Sequence, residues 1–361
     1  KESDKKMSKW EENVRKVTPY TPGEQPNRPG MIKLNTNENP YPPSPKAAEA
    51  LRTFDVDRLR LYPSPDADGL RDAIARAEGV ERENVFCGNG SDEVLALCVP
   101  AFFDKGGRGA AFADITYSFY PVFCDFFSVP YRTVPLKSDY TMDLDAFSKA
   151  DCDGILLTNP NAPTGIGIGR ADMEKFVAEN PDKLIVADEA YMGFFGESAV
   201  PLTKRFKNLL VVKTFSKYYS LAGIRCGYAV GDKALIRGLF AAKDCFNSYP
   251  VDALCQAVGW VAAAVSDGEY YAAAAEKVKT ERARLRAELI GLGFFVPESA
   301  SNFLFAGHPK GGEFIYRGLK ERGVLVRFWN TEKLKNFCRI TIGTPEQDDA
   351  LLSALREILS R

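Results

Sequence analysis

Between residues 46 and 232, short runs of consecutive apolar residues alternate with longer segments whose apolar residues recur every three or four positions. The runs at 85–87, 110–113, 154–157, 184–187, 209–212 and 226–230 predict buried strands. Residues 92–102, 118–127 and 170–179 carry the helical period between them. Strands separated by helices predict a mostly parallel sheet, because each crossover returns the chain along a sheet face and covers it. After Pro250 the pattern changes: 251–265 and 270–289 read as long helices, then short strands at 303–305, 324–327 and 338–342 alternate with helices at 313–322 and 345–359. The expected fold is therefore α/β, a large domain with a mostly parallel central sheet plus a smaller α+β domain. Residues 1–45 are expected to form an arm and the start of the small domain, 46–245 the large domain, and 246–361 the small C-terminal domain.

The segment 18–45 is rich in Pro, Gly and Asn, which forbids long helices and predicts an extended arm laid across a surface. Residues 1–9 are charged and lack an apolar period; Met7 reads as a natural start, with the six residues before it either a foreign remnant or a frayed tail. The basic stretch 277–286 reads as the solvated face of its helix. There is no internal repeat.

Composition narrows the class. In 361 residues, hydrophobic and charged fractions of 45% and 26% are those of an ordinary globular chain, and 47 basic against 48 acidic residues leave a charge of -1. No global field favours nucleic acid or an anionic membrane. The longest apolar run, 253–266, lies between Asp252 and Asp267 and falls short of the roughly 18 residues a span needs. Eight scattered cysteines without a C-x-x-C pair read as reduced core residues of a cytoplasmic protein. The single histidine, His308, sits in a Gly-Pro-Lys-Gly turn, so a multi-histidine metal site is excluded and a Ser-His-Asp triad would rest on a loop. No metal is expected. Catalysis would need reactivity from elsewhere, and a cofactor with its own electronics supplies it.

Ligands of open parallel sheets sit beyond the carboxyl ends of the strands, and four predicted strands end in informative residues. Gly88-Asn89-Gly90-Ser91-Asp92-Glu93 opens a helix and so offers an anion site, or simply a structural turn. Asn159-Pro160-Asn161-Ala162-Pro163-Thr164-Gly165 is a rigid turn that either presents amides or punctuates a loop. Asp188 heads Asp188-Glu189-Ala190-Tyr191; at a buried strand end it calls for a cationic partner, although taken in isolation a helix N-cap accounts for it better. Lys213-Thr214-Phe215-Ser216-Lys217, with Arg225 eight residues on, pairs phosphate ligands with a lysine that is either a Schiff-base amine or a surface charge. Together the four specify an aldehyde cofactor with a phosphate arm and a pyridine ring. Tyr117 is its aromatic lid or else a core ring.

In this arrangement the sequence resembles the aspartate-aminotransferase-like, fold type I family of pyridoxal 5'-phosphate enzymes. The stretches TPYTPGEQP (18–26), LNTNENPYPPSP (34–45), LYPSP (61–65), GNGSDE (88–93), ADEAY (187–191), TFSKYYSLAGIRCGY (214–228), GVLVRFW (323–329) and FCRITIGTPEQ (337–347) are similar to the histidinol-phosphate aminotransferases within it. The likeness runs from about residue 10 onward. It implies that Lys217 carries the cofactor and then acts as general acid and base, that Asp188 keeps the pyridine nitrogen protonated, and that Tyr191 donates to the ring hydroxyl. Ser91, Asp92, Ser216 and Arg225 would bind the phosphate, with Tyr62 reaching the phosphate of the neighbouring subunit in a homodimer. Arg327 and Arg339 look like substrate anion binders, closed over by Tyr20 from the arm. The implied reaction moves the amino group of L-histidinol phosphate to 2-oxoglutarate by a ping-pong cycle in histidine biosynthesis. One residue departs from the family pattern: the second Asn before Pro-Thr-Gly is Ala162, which leaves Asn161, or Tyr191 and water, to meet the ring hydroxyl. An aromatic-amino-acid aminotransferase and a decarboxylase of a phosphorylated amino acid use the same fold and remain alternatives. A nicotinamide oxidoreductase lacks its third glycine after Gly88-x-Gly90, and a DNA-binding regulator lacks residues for a DNA-reading module.

Overall fold

The structure, a computed structural model, describes residues 8–25, 29–104, 106–263 and 267–360. The expected tail before Met7 and the last position of the TPYTPGEQP stretch lie outside them. Among the described residues eleven strands form two sheets: β1 (Ile32–Leu34), β2 (Val85–Asn89), β3 (Ala110–Ala113), β4 (Tyr131–Val134), β5 (Gly154–Thr158), β6 (Leu184–Asp188), β7 (Leu209–Thr214), β8 (Cys226–Gly231), β9 (Phe303–Gly307), β10 (Val324–Phe328) and β11 (Phe337–Thr341). The larger sheet has the order β2-β8-β7-β6-β5-β3-β4 and is parallel apart from β8, which runs against both neighbours. The smaller has the order β1-β10-β11-β9.

The large sheet is buried on both faces, as its uninterrupted apolar runs require. Leu209 and Val211 of β7 point into one core with Leu70, Ile74, Met173 and Phe176, while Leu210 and Val212 point into the other with Val94, Cys98, Ile236 and Leu239. The alternation is the two-residue period of the strand. All six expected strands of this sheet are present. The sequence pattern did not reveal β4, because Arg132 and Thr133 break its apolar run at an exposed edge. Nor did it reveal the helices Pro45–Arg52, Asp68–Glu78, Leu144–Lys149 and Lys233–Asp244. The first of these starts where Ser44 accepts Ala47 N–H at 3.1 Å with Pro45 in the first turn, and Asp68–Glu78 ends at Gly79 in the left-handed region.

Three expectations are corrected. The helix Ala253–Ala263, expected to belong to the small domain with everything after 246, packs on Pro45–Arg52 and Asp68–Glu78, and Val251, Cys255 and Val258 join the large core. Gly259 permits the approach, since a Cβ there would lie 3.1 Å from Leu70. An apolar face shows that a helix is covered without showing by what. The basic stretch 277–286 is no purely solvated face: Arg282 donates to the carbonyls of Phe194 and Ser301 at 3.2 and 2.7 Å, Arg286 donates to Val296 O at 3.1 Å, and Val278, Glu281 and Leu285 are buried. Long basic side chains here hold loop carbonyls while their stems cover apolar surface. Cys245 is exposed at the end of Lys233–Asp244, whereas the other seven cysteines are buried as expected.

The arm does more than lie on a surface. Its Ile32–Leu34 segment adds a parallel edge strand to β10, with Ile32 opposite Val324. The arm is thereby fixed across the gap between the two sheets.

Candidate active site

A cleft of about 310 Å³ opens where β5, β6 and β7 end, bounded by the start of Gly90–Phe102, by arm residues 35–38 and by two arginines of the small sheet. This is the strand-end position that an open parallel sheet offers to ligands.

Lys217 lies three residues past β7. Its Nζ donates to Thr36 O at 2.9 Å and sits 5.9 Å from the Tyr191 ring centre. Burial, and then the nearby Arg339 cation, push its pKa down to about 8. A substantial fraction is thus neutral amine near physiological pH, which a nucleophile and proton carrier requires.

Asp188 is the last residue of β6 and only 3% exposed. Its carboxylate accepts from Tyr120 O–H at 3.1 Å and Ala190 N–H at 3.1 Å, and desolvation pushes its pKa up to about 7. It pairs with no cation among the described residues. A buried carboxylate held by two weak donors is poised for a cationic ligand. Tyr120, itself fully buried and bonded to Thr158 at 2.7 Å, is a supporting residue that sequence reasoning missed, since a helix aromatic carries no local mark of its polar end.

Tyr191 lies three residues beyond this carboxylate, and its hydroxyl accepts from Asn37 Nδ2 at 2.9 Å. With that lone pair engaged, its own proton is free to point elsewhere. Asn37, unassigned from sequence although it stands in LNTNENPYPPSP, has a left-handed φ of 55°. It is further held by Thr341 Oγ1 and by Asn302 Nδ2, which donates to its carbonyl at 3.0 Å. Thr36 and Glu38 line the cleft beside it.

The anion cradle forms where β2 meets its helix. Gly90 has φ +77°, and a Cβ there would lie 2.6 Å from Arg225 Nη2; a Cβ on Gly227 would lie 2.2 Å from Ser91 N. The absence of both side chains lets the Ser91 backbone, Arg225 and Ser216 approach one another. Asp92 accepts Tyr117 O–H at 2.6 Å and Arg225 Nη2 at 2.9 Å, so it aims both the lid ring and the guanidinium. Ser216, buried, receives a hydrogen bond from Thr214 Oγ1 at 3.0 Å.

Arg327 and Arg339 face each other as register partners of β10 and β11, and both reach the cleft. Arg327 donates to the carbonyls of Pro22 and Thr21 at 3.0 and 2.7 Å, so it also ties down the arm. Arg339 donates to Asn35 O at 2.9 Å and keeps a buried Nε without a partner among the described residues. Tyr20 stacks on Phe119 with ring centres 4.1 Å apart and lines the cleft beside Tyr117.

Two expected residues are not brought into this cleft. The Asn161 amide is consumed by its own turn: Nδ2 donates to Ile115 O and Thr164 Oγ1, both at 3.0 Å, and Oδ1 accepts from Thr116 Oγ1 at 3.0 Å. Ala162 faces the cleft in its place. Tyr62 is 82% exposed and stacks on Tyr249 at 4.6 Å, away from the cleft of its own chain.

Residues 29–355 match the family model for class I and II aminotransferases. The histidinol-phosphate aminotransferase of Chromohalobacter salexigens is 50% identical over 98% of this chain and 99% of that one. Among solved structures, the histidinol-phosphate aminotransferase of Sinorhizobium meliloti in complex with pyridoxal-5'-phosphate superposes with a TM-score of 0.83 at 24% identity, covering 91% of each chain. The L-threonine-O-3-phosphate decarboxylase of Porphyromonas gingivalis does so with 0.79 at 24% identity, over 92% of this chain and all of the other. Near-complete coverage at half identity, on a fold shared by these structures, makes this chain a member of the class I and II aminotransferase family.

Proposed function

We propose that the protein transfers the amino group of L-histidinol phosphate to 2-oxoglutarate, giving imidazole-acetol phosphate and glutamate, with pyridoxal 5'-phosphate in the cleft. The observation that carries this is the pair Arg327 and Arg339 directed into the cleft that holds Lys217 and Asp188. The 50% identity to the Chromohalobacter relative, which bears that name, supports the same substrate.

The residues fit the cofactor. The side-chain-free Gly90 and Gly227 leave room for a phosphate beside Ser91, Ser216 and Arg225, and the uncompensated Asp188 carboxylate suits a protonated ring nitrogen. When bound, pyridoxal 5'-phosphate supplies an electrophilic carbon and a ring that accepts electrons. The chain provides the rest. Lys217, neutral above about pH 8, would accept at Nζ the proton from the donor's Cα and give it back later in the cycle. Asp188 would hold a proton on the ring nitrogen, and Tyr191, steadied by Asn37, would donate from its hydroxyl. Tyr117 and Tyr20, which line the cleft, would cover it and exclude water. The paired guanidiniums accept a phosphate from one substrate and carboxylates from the other, because the same planar fork fits both anions.

Tyr62, exposed and outside its own cleft, is read as a phosphate ligand for the neighbouring subunit of a homodimer. Eight free cysteines suit the reducing cytoplasm. No helix among the described residues is long and apolar enough to cross a membrane.

The test is kcat/KM for histidinol phosphate, phenylalanine, tyrosine and aspartate with 2-oxoglutarate, repeated in Arg327→Gln. A preference for histidinol phosphate that Arg327→Gln cuts about 30-fold or more, as expected for losing a charge-assisted anion contact, supports the reading. Preference for phenylalanine, unchanged by the substitution, would make the enzyme an aromatic aminotransferase.

A further inference from the structure

The side chain of Lys243 is only 2% exposed, an unusual state for a lysine, and no step of the proposed chemistry uses it. It projects from the helix Lys233–Asp244, and its ammonium donates to Pro65 O at 3.3 Å, Ser248 O at 3.3 Å and Asp66 Oδ1 at 3.4 Å. Asp244 Oδ1 lies 2.7 Å away, and the Phe240 ring centre 5.6 Å. Burying an ammonium is costly unless its donors are met, and these partners meet them. What they share is location. Pro65 ends the LYPSP stretch that holds Tyr62, Asp66 comes directly after it, and Ser248 precedes Tyr249, the ring on which Tyr62 stacks at 4.6 Å.

A second tie reaches the same place from another helix. Gln256 Nε2 donates to Ser64 O and to Val251 O, each at 2.9 Å. Asn89, at the entrance to the anion cradle, donates to Pro250 O at 3.3 Å. An exposed tyrosine thus stands on a turn whose backbone carbonyls are gripped from beneath by a buried cation and an amide. Solvent exposure alone would leave such a ring free to wander; a rigid base lowers the entropy lost when it engages a ligand.

We propose that Lys243 is a positioning residue for cofactor binding: it fixes the turn 61–66 so that Tyr62 and Tyr249 present a preformed aromatic ledge, from which the Tyr62 hydroxyl meets the phosphate held by the neighbouring subunit. This rests on the reading of Tyr62 as a ligand acting across the dimer. The buried charge acts through Tyr62 and touches no reacting atom.

The experiment is a double-mutant cycle on cofactor affinity. Apoenzyme of the wild type, Tyr62→Phe, Lys243→Met and the double variant is titrated with pyridoxal 5'-phosphate, and the dissociation constant is read from quenching of protein fluorescence. Each variant is checked for its melting temperature and its sedimentation as a dimer. Tyr62→Phe is expected to weaken binding about tenfold, the value of one hydrogen bond to a charged group. Lys243→Met should weaken it several-fold alone, but less than about twofold once Tyr62 is already Phe, since its effect runs through that hydroxyl. Lys243→Gln, which keeps two N–H donors for the carbonyls, should recover most of the loss, and Lys243→Leu, which has no donor, carries the same cycle if the Met variant does not fold. Multiplicative losses would make Lys243 a merely structural residue and overturn the proposal. If Tyr62→Phe binds the cofactor as tightly as the wild type, the reading of Tyr62 is wrong, and the proposal falls with it by a separate, recognisable result.

Discussion

Arg339 and Lys217 share one cleft, and after burial itself the Arg339 guanidinium is the largest reason that the Lys217 amine titrates near 8. The residue that would grip a substrate anion also keeps the base deprotonated. An anion arriving on Arg339 screens that cation, so binding and proton affinity at Nζ are coupled through a single charge.

The coupling gives a pH prediction. In the apoenzyme, the rate at which an amine-reactive acylating reagent labels Lys217 should rise with pH to a midpoint near 8, because only the neutral amine reacts. Arg339→Gln removes a like charge and should move the midpoint upward. Peptide mapping of labelled protein across a pH series checks this, and a midpoint that stays or falls would show that Arg339 does not act on Lys217.

For Asp188 the sign is opposite. Its folded pKa of about 7 lies above the usual 3.8, so the folded state binds the extra proton between those values and stability from this group is lost as pH rises towards 7. Asp188→Asn should therefore stabilise the apoenzyme above pH 7, by at most roughly 4 kcal/mol for a rise of that size, and leave it nearly unchanged below about pH 4. The same variant should bind pyridoxal 5'-phosphate more weakly, having no charge to set against a protonated ring nitrogen. Thermal melts of apoenzyme from about pH 4 to 8 decide the first part; a variant less stable at pH 8 than wild type would refute it.

Two glycines of the anion cradle should respond differently to alanine. At Gly90 the new Cβ meets the end of the Arg225 side chain and a φ of +77°, so the cost is about 1 to 2 kcal/mol of stability, while Arg225 is pushed from Asp92 and cofactor affinity drops about tenfold. At Gly227 the Cβ meets backbone, 2.2 Å from Ser91 N and 2.4 Å from Gly90 C, where nothing flexible can yield. Gly227→Ala should fail to give folded protein. Denaturant titration and cofactor binding separate the two cases.

Ala162 and Asn161 form a further contrast. Ala162→Asn should place an amide in the cleft, near the ring oxygen that Tyr191 is proposed to address, and shift the pH titration of the bound cofactor's absorbance downward by favouring the anionic oxygen. Asn161→Ala should leave that titration alone and instead cost about 2 to 4 kcal/mol in stability, since three hydrogen bonds of the turn are lost. A spectral shift from position 161 with none from 162 would reverse the assignment.

The sequence by itself determined the features that local rules govern. Uninterrupted apolar runs marked six of the seven strands of the large sheet, because a strand covered on both faces has no polar positions to interrupt it. Lys217, Asp188 and the Gly90 turn were legible because each lies at or just past the end of such a run, and a parallel sheet delivers strand ends to one edge. Arg327 and Arg339 stood out only through the resemblance. Tertiary structure decided the rest, where a residue's role depends on what lies across from it. Asn161 and Ala162 are neighbours in one turn, yet only the folded loop shows that the amide is spent within the turn and the methyl faces the cleft. Asn37 and Tyr120 carry no local sign of their partners, which lie 154 and 68 residues away. Lys243 reads in sequence as one more surface charge on an amphipathic helix, and its burial appears only when the 61–66 turn closes over it. Periodicity records which face of an element is covered; the identity of the covering group is a property of the assembled chain.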